Sequence, residues 1–336
     1  MSGRGAPVAR APSAMHAMLR TAATTAAAAL ATLAAIAWAQ DAAAPAPEAF
    51  VPTGAPERFA PGVASTGHAE IRLTLSPDGR TALWFSRDRP GGAGGYDIWM
   101  SRRRGGRWQA AVPVAFNTPG REFDPAFAAD GRSVYFCSDR AGGVGGDDLW
   151  RVSFDGSGFG RPEPLGPAVN SVADEFAPML SADARRLLFS SDRPGGAGGH
   201  DLYVATRARG DGAFAATRPL PGAINSAADE FDPTYLHDDA TVVFARAGDM
   251  ARDRVDLYLA SPRAGRYGVG IRLPAPVNDA QDDSYGAMRD WSVSGRLLYS
   301  ARRTRAAGTR DSGMDLYAVR YGLAPAGAAR AGHAGR

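Results

Sequence analysis

The sequence predicts an all-β fold in which one four-stranded unit is repeated five times. An aspartate followed by a hydrophobic and then an aromatic residue recurs at Asp97, Asp148, Asp201, Asp256 and Asp315, with spacings of 51, 53, 55 and 59 residues. After residue 55, no stretch shows the sustained periodicity of a helix. A repeat of about 50 residues built from short strands is typical of β-propeller blades, so we predict a five-bladed β-propeller. Six blades is the alternative count.

Each unit is predicted to hold four strands in a fixed order. The first strand, such as FDPTYL at 231–236, leads to a turn such as SPDG at 76–79, where Asp-Gly favours a hairpin. The second strand alternates, as in RLLFSSD at 186–192, and a glycine-rich loop joins it to a third, such as DLYVATR at 201–207. The fourth, such as GAFAATRPLPG at 212–222, carries prolines, which suit an edge strand.

The glycine-rich loop recurs in three near copies, at 86–99, 137–150 and 190–203. A ligand-binding loop is needed once, whereas a turn between strands is needed in every blade, so the copies favour a structural role. In a calcium-binding GGxGxD repeat the aspartate comes earlier than Asp97 does here, and those repeats are nonapeptides. No helix follows the loop to bind a dinucleotide phosphate. Kelch repeats are a close alternative that would also give a propeller.

The fifth unit ends after three strands, and its fourth strand is predicted to come from the other end of the chain. Residues 57–70 align with residues 217–230, so that Pro61-Gly62 falls on Pro221-Gly222 and Ser65 falls on Asn225. We therefore expect residues 57–62 to pair with residues 314–320 and to close the ring. Closure removes exposed sheet edges, which otherwise favour aggregation.

The segments outside the predicted propeller, 57–321, have distinct compositions. Residues 1–39 are predicted to be a signal peptide, because arginines precede an uncharged apolar run that ends in Ala-Trp-Ala. Met15 or Met18 could be the true start, and an uncleaved membrane anchor is the alternative. Residues 40–56 are predicted to be an Ala/Pro linker and residues 322–336 a disordered tail.

Charge and composition exclude some functions. The net charge of +3 comes from three arginines in the predicted signal peptide, so the mature chain is neutral and charge does not support a nucleic-acid surface. The sequence contains no lysine, which excludes Schiff-base chemistry at a lysine. The single cysteine, Cys137, cannot form an internal disulfide. His68, His200 and His237 lie in different units without metal-ligand spacing, so no metal or cofactor is predicted.

The recurring residues resemble the WD40-like repeats of the TolB-like propeller family, also called PD40 repeats. The resemblance is carried by Ser76-Pro77-Asp78-Gly79, by LWFS at 83–86, by Asp88-Arg89 and by DIW at 97–99, and it covers residues 57–321. It implies a propeller in the periplasm or outside the cell that serves protein–protein contacts at the envelope. TolB-like propellers commonly have six blades, and no companion domain is visible here, so a TolB partner is not carried over.

One candidate site is a set of acids that open the predicted first strands. Its members are Glu70, Glu122, Glu175, Glu230 and Asp283. Because the first strand of a blade lies innermost, these five carboxylates could form a ring at the rim of the central channel and attract a cation or a basic peptide. The alternative is that each carboxylate caps backbone amides in its own blade.

A second candidate site consists of residues that break the repeat in the last two blades. They are Tyr235, His237, Tyr285, Arg289, Asp290 and Trp291. If they lie at one channel mouth, they form an aromatic and charged patch suited to recognition. The alternative is that Tyr235 and Met288 fill the core.

These observations predict a periplasmic or secreted binding module that contacts a protein or peptide at the cell envelope and is not catalytic. We expect a monomer with no nucleic-acid partner and no stable membrane span after signal cleavage. The alternative is a propeller glycoside hydrolase or carbohydrate-binding protein. A glycosidase needs two carboxyl groups in different environments, whereas most acids here recur by blade.

Overall fold

The computed structural model describes residues 47–210, 212–215, 217–279, 282–302 and 313–325. Every regular element in these ranges is a β-strand, and none of these ranges holds a helix that is long and apolar enough to cross a membrane. The predicted signal peptide and most of the predicted tail lie outside the described residues. Two short strands come first, β1 (Pro47–Pro52) and β2 (Glu57–Arg58).

The remaining strands form five sheets in chain order. Blade one contains β3 (Glu70–Leu75), β4 (Thr81–Ser86), β5 (Asp97–Arg104), β6 (Arg107–Trp108) and β7 (Val112–Pro113). Blade two contains β8 (Glu122–Phe127), β9 (Ser133–Ser138), β10 (Asp148–Ser153) and β11 (Glu163–Pro164). Blade three contains β12 (Glu175–Leu180), β13 (Arg186–Ser191), β14 (Asp201–Thr206) and β15 (Arg218–Pro219).

Blade four contains β16 (Asp229–Tyr235), β17 (Val242–Ala247), β18 (Asp256–Ala260) and β21 (Ile271–Arg272). A separate small hairpin follows β18, made of β19 (Pro262–Arg263) and β20 (Arg266–Tyr267). Blade five contains β22 (Ser284–Arg289), β23 (Arg296–Ala301) and β24 (Asp315–Pro325), together with β1 and β2. The predicted five-bladed propeller is confirmed.

The first strand of each blade lies innermost. Strands β3, β8, β12, β16 and β22 each contact the first strands of both neighbouring blades, and the contact between β22 and β3 closes the ring. Every inner strand pairs antiparallel with the second strand of its blade, as expected for hairpins with tight turns. The turns meet this requirement with left-handed backbone, for example at Gly79 (φ 67°) and Gly131 (φ 64°).

The N-terminal segment closes the last blade as predicted. In β2, Glu57 pairs with Ala318 and Arg58 with Tyr317, and both partners lie on β24. The Ser65 hydroxyl then donates to the Leu316 carbonyl at 3.2 Å and accepts from the Leu316 amide at 3.1 Å. In the other blades an asparagine carboxamide makes these two bonds, which is why Ser65 aligned with Asn225 in the sequence.

Strand β1 extends the closure beyond the predicted limits of the propeller. It pairs with residues 321–325 at the far end of β24, so the sheet uses part of the predicted linker and part of the predicted tail. Phe50 is buried and stacks on Tyr321, with ring centroids 4.9 Å apart. The Ala/Pro composition of this segment gives no strand pattern, and pairing with the free edge of β24 determines its conformation.

An aromatic pair crosses the second and third strands of every blade. The five pairs are Trp84/Trp99, Phe136/Trp150, Phe189/Tyr203, Phe244/Tyr258 and Tyr299/Tyr317. All five residues on the second strands are fully buried. Burial of large aromatic side chains in each sheet supplies much of the hydrophobic stabilisation of the ring.

Candidate functional site

A β-bulge at the same place in every inner strand positions the centre of the molecule. In each inner strand, the register of pairing with the second strand shifts after one residue: Ile71, Phe123, Phe176, Phe231 or Tyr285. The residue that follows it takes left-handed backbone. These residues, here called the bulge ring, are Arg72, Asp124, Ala177, Asp232 and Gly286, with φ between 51° and 64°. Left-handed backbone costs a non-glycine residue roughly 1 kcal/mol, yet four blades place a side chain there. One repeated backbone position therefore carries four different residue types in the five blades.

A central cavity of about 590 Å³ opens beside the bulge ring. Its wall contains the residue that precedes each member of the ring, a set here called the collar: Ile71, Phe123, Phe176, Phe231 and Tyr285. Of the bulge ring, Asp124 and Asp232 line the cavity. The volume lies in the range of small-molecule and side-chain binding sites, and the wall combines the apolar collar with charged residues.

Asp232 is held by a buried ion pair. The Arg72 guanidinium is fully buried and lies 3.4 Å from the Asp232 carboxylate, which also accepts a hydrogen bond from the Gly286 amide at 2.8 Å. Arg72 donates further to the carbonyls of Pro178 at 3.3 Å and Pro233 at 3.5 Å, so it ties three blades together. Burial raises the pKa of Asp232, and Arg72 opposes that rise, so Asp232 is the better stabilised of the two cavity carboxylates.

Asp124 has no such partner. Only 3% of the residue is exposed, and among the described residues no side chain donates a hydrogen bond to its carboxyl group. Burial and the charge of Asp232 raise its pKa well above the ordinary value, with weaker opposition from Arg72 and the Ala177 backbone. The cavity therefore contains one ion-paired carboxylate and one carboxyl group whose pKa is raised without a side-chain partner among the described residues.

Charged groups of both signs surround the mouth of the cavity. Burial raises the pKa of Tyr285 to about 12, although the nearby positive charges of Arg87 and Arg302 oppose the rise. Arg87 is exposed, and the Nε atom of Arg302 is buried and has no hydrogen-bond partner among the residues that the structure describes. Arg302 lies 3.9 Å from the Asp283 carboxylate, a weak pairing. These groups form a polar rim above the aromatic collar.

The loop between β17 and β18 supplies the other side of the mouth. Residues 250–255 line the cavity there, in place of the glycine-rich loop of the first three blades. Arg252 pairs with Asp249 at 2.5 Å and Arg254 pairs with Asp256 at 2.8 Å, so both arginines already have acidic neighbours within the loop and blade. The exposed backbone of this loop is accessible to a ligand that enters the cavity.

The four glutamates predicted as rim acids do not line the cavity. Glu70, Glu122, Glu175 and Glu230 are fully buried, and each accepts hydrogen bonds from a serine or threonine four residues earlier, through both its amide and its hydroxyl. Each also pairs with an arginine of its own blade: Arg89 at 3.7 Å, Arg140 at 3.0 Å, Arg193 at 2.8 Å and Arg246 at 2.7 Å. These bonds match the capping alternative.

The paired arginines link the glutamates to the aromatic pairs of the same blades. Arg193, for example, lies with its guanidinium 4.8 Å from the centroid of the Tyr203 ring, and Arg246 lies 4.7 Å from that of Tyr258. Such cation–π contacts stabilise the blade in addition to the ion pairs. The repeated Glu, Arg and aromatic residues therefore form one structural unit in each of blades one to four, here called the clamp.

Asp283 is placed differently from the four glutamates. It lies at the cavity rim, where it accepts a hydrogen bond from the Val255 amide at 3.1 Å. Asp174 and Asp229 make the same kind of bond in earlier blades, and each stands one residue before a glutamate. Asp283 therefore corresponds to those aspartates, and Ser284 occupies the glutamate position of blade five.

The six residues of the predicted patch are divided between the two ends of the channel. Tyr285 belongs to the collar, whereas Arg289, Asp290 and Trp291 follow at the far end of β22. Tyr235 is fully buried.

Three of these residues are engaged in contacts at the far end. The His237 Nδ1 atom lies 2.9 Å from the Tyr321 hydroxyl, and the Arg289 guanidinium pairs with Asp239 at 3.1 Å. Asp290 is buried and pairs with Arg296.

Trp291 covers the end of the channel opposite the cavity. Its indole N–H donates to the carbonyl of Phe127 in blade two at 2.8 Å, so a turn of blade five reaches across to another blade. Arg289 lies over the Trp291 ring, with its guanidinium 4.3 Å from the ring centroid. The turn between β22 and β23 is one residue longer than the corresponding turns of the other blades, and the glycine-loop end is the open one.

Reasoning from the sequence missed Asp124, Asp232 and the loop at 250–255. The two aspartates follow the strand-one aromatics and have no acidic counterparts in the other three blades, a difference that the alignment of the repeats displays. The loop also departs from the repeat. In both cases, an unrepeated residue at a repeated position was the available signal.

Within the described ranges, no group of three or more His, Cys, Asp or Glu side chains is arranged to hold a metal ion.

No protein-family model and no curated protein matches this sequence. Among solved structures, the chain is similar to TolB from Acinetobacter baumannii, at 13% identity over 76% of this chain and 55% of that one, with a TM-score of 0.42. It is also similar to the endo-arabinase from Bacteroides thetaiotaomicron, at 15% identity over 78% of this chain and 96% of that one, with a TM-score of 0.48. The alpha-L-arabinofuranosidase from Lactobacillus brevis matches at 9% identity over 77% and 90%, with a TM-score of 0.49.

The chain spans 55% of the length of the TolB structure that it matches. Likenesses at these identities and TM-scores carry no argument about what this chain binds or whether it is an enzyme.

Proposed function

We propose that this chain is a periplasmic or secreted binding protein that takes a projecting segment of a protein or peptide at the cell envelope into its central cavity. The cavity carries the proposal. It combines a collar with four aromatic rings, a polar rim, and two buried carboxyl groups, within a volume of about 590 Å³. Such a pocket suits one or two side chains of a partner rather than a flat protein surface.

The distribution of polar groups supports binding at this end. The repeated glutamates have their hydrogen bonds satisfied inside the clamps, so they offer little to a ligand. Asp124 and the Nε atom of Arg302 are buried without a side-chain partner among the described residues. Buried polar groups without partners are costly, and a ligand that supplies those partners gains affinity.

A peptide-display selection against the chain from residue 40 onward tests this function. We expect enriched peptides to lose about ten-fold or more in affinity when Phe176, a collar residue, is replaced by alanine. Val172→Ala is the matched control, because Val172 is 83% exposed and lies outside the cavity. The same peptides are measured on Arg289→Ala, which reports on the opposite end.

The pattern across these variants decides between the two ends. Loss of binding in Phe176→Ala with unchanged binding in Arg289→Ala supports the cavity. The reverse pattern supports the patch around Arg289, and equal binding by all variants refutes both locations.

A glycoside hydrolase remains a second candidate, because two carboxyl groups in different environments line one cavity. Asp232 is ion-paired with Arg72, while Asp124 holds its proton more strongly. A base and an acid with separated pKa values are what glycoside hydrolysis requires.

A panel of aryl glycosides and oligosaccharides tests the second candidate. Hydrolysis that is lost in Asp124→Asn, an isosteric change, would establish an enzyme. Absence of hydrolysis across the panel, from a chain that binds selected peptides, would favour the binding protein.

A further inference from the structure

We propose that the cavity recognises a peptide that ends in lysine or arginine, with the side-chain cation at Asp124 inside the collar and the terminal carboxylate between Arg87 and Arg302 at the rim. This inference rests on the proposed function and names the partner of that site. It accounts for two features of the cavity, one at each depth: a buried carboxyl group that accepts a hydrogen bond from no side chain among the described residues, and two arginines at the rim.

The inner part of the cavity has the features of a cation site. Phe123, Phe176 and Phe231 are buried in the wall, and Tyr285 completes the aromatic part of the collar. Ring faces attract ammonium and guanidinium groups, especially in a site away from water. Asp124 stands directly after Phe123 in the chain and lines the same cavity without a partner side chain among the described residues. A cation there would have aromatic walls and a carboxylate.

The charge of the inner site leaves room for one added cation. Arg72 already neutralises Asp232, to which it is bonded, and it lies outside the cavity lining. If Asp124 ionises, the three buried groups carry one net negative charge. A single ammonium or guanidinium group would balance it.

The outer part of the cavity presents the opposite charge. Arg87 is exposed at the mouth, and no ion pair involves it among the described residues. Arg302 lies 3.9 Å from the Asp283 carboxylate and donates its amide to the Asp283 carbonyl at 3.2 Å, and its buried Nε atom has no hydrogen-bond partner within the described part of the chain. Arginines form paired, charge-assisted hydrogen bonds with carboxylates. A ligand carboxylate close to the Tyr285 hydroxyl would lie within reach of both arginines, Arg87 and Arg302.

Binding of the cation is coupled to a proton. In the empty cavity, burial and the charge of Asp232 raise the pKa of Asp124 well above its ordinary value. When R–NH₃⁺ binds, the Asp124 carboxyl releases its proton to solvent and the carboxylate pairs with the ammonium. The groups that face Asp124 are Arg72, Cys137, Asp147 and Asp232, together with the Ala177 amide. Affinity should therefore rise with pH until Asp124 is ionised in the free protein.

Four small probes separate the parts of this proposal: Nα-acetyl-lysine, Nα-acetyl-arginine, Nα-acetyl-lysine amide and Nα-acetyl-norleucine. We measure their binding to the chain from residue 40 onward by isothermal titration calorimetry, in two buffers of different ionisation enthalpy. We expect both cationic acids to bind about ten-fold more tightly than the norleucine compound, which has the apolar stem without the charge. The amide should bind less tightly than the acid, and proton release should accompany binding of the lysine compound.

Two variants assign these effects to residues. Asp124→Asn should abolish the preference for lysine over norleucine and the proton release, while Arg87→Gln should abolish the preference for acid over amide. Val172→Ala should change neither. The proton release of the unaltered chain tests the proposal even if a variant does not fold.

Equal binding of the lysine and norleucine compounds, or affinity that falls as the pH rises, would overturn the inference. If display-selected peptides still depend on Phe176 in that case, the proposed function stands and only the ligand is wrong. If no peptide depends on Phe176, the proposed function itself fails.

Discussion

The clamps and the bulge ring occupy repeated positions around the same axis, yet they differ in how strictly their side chains repeat. Glu122 and Glu175 meet Arg140 and Arg193 at 3.0 Å and 2.8 Å, with the same hydroxyl and amide donors. The bulge ring keeps its left-handed backbone in all five blades but changes from Arg72 to glycine.

The difference separates structural from functional residues. A side chain that recurs with its partners contributes to every blade, and selection for folding is sufficient to explain it. Different side chains on one conserved backbone geometry need another explanation. The bulge ring has such side chains, and two of them, Asp124 and Asp232, line the cavity.

The largest expected effect is on a clamp. Replacing Glu175 with alanine leaves Arg193 and the Ser171 donors without their acceptor in a buried place. We expect the free energy of unfolding to fall by about 3 kcal/mol, as for other buried ion pairs that lose one partner. Urea denaturation measures this free energy. Glu163→Ala is the control, because Glu163 is an exposed residue of β11. A loss close to that of the control would show that the clamp is not structural.

A smaller effect is expected at the closed end of the channel. Trp291→Ala removes the hydrogen bond to Phe127 and part of the packing between blades, and Trp291 is only partly buried. We expect a loss of about 2 kcal/mol, with unchanged binding of cavity ligands. Denaturation and peptide affinity are measured on the same variant. Lost affinity with full stability would instead make Trp291 a recognition residue, as the sequence hypothesis had it.

The ring closure should depend on Ser65 less than an internal junction depends on its asparagine. Ser65→Ala removes two hydrogen bonds to Leu316, and we expect a loss of about 1 kcal/mol. Asn170→Ala removes the two corresponding hydrogen bonds to Leu149 and shortens a larger buried side chain. We therefore expect a loss of about 2 kcal/mol. Thermal unfolding of the two variants compares them. A larger loss for Ser65→Ala would mean that the closure limits the stability of the whole ring.

Much of the fold could be predicted because the repeat is local. The Asp marks and the aromatic pairs each report on neighbouring strands and recur in five copies, and Asp-Gly turns add to this signal in blades one and two. The alignment of Ser65 with Asn225 located the closing strand β2. Strand β1 was not predicted, because Pro47–Pro52 has no alternating pattern and its pairing is imposed by β24.

The site was harder to predict because it depends on the bulges. A simple alternating strand would place Glu122 and Asp124 on the same face, and the rim hypothesis chose the acid that recurs. The bulge at Asp124 breaks the alternation, so that Glu122 is bonded inside its blade while Asp124 lines the cavity. Left-handed backbone at a non-glycine residue leaves no local signal in the sequence.

The pH dependence of stability provides the finest test of the bulge ring. Burial raises the pKa of Asp124 in the folded protein, while the unfolded chain keeps an ordinary aspartate. The folded state therefore binds a proton more strongly, and the stability that this contributes is complete at low pH and is lost as the pH rises through the folded pKa.

In Asp124→Asn this loss is absent, because asparagine does not titrate. We expect the variant and the unaltered chain to differ least at pH 4, and we expect the variant to gain in relative stability at each step towards pH 8. Urea denaturation at five pH values measures the difference in stability between the two proteins. Other titrating groups, such as Glu70, contribute to both proteins and cancel in this difference. Asp232→Asn is the contrasting control, since it strands the buried Arg72 charge and should destabilise at neutral pH. A pH-independent difference for Asp124→Asn would mean that Asp124 is ionised throughout, and that the bulge ring, like the clamps, is only structural.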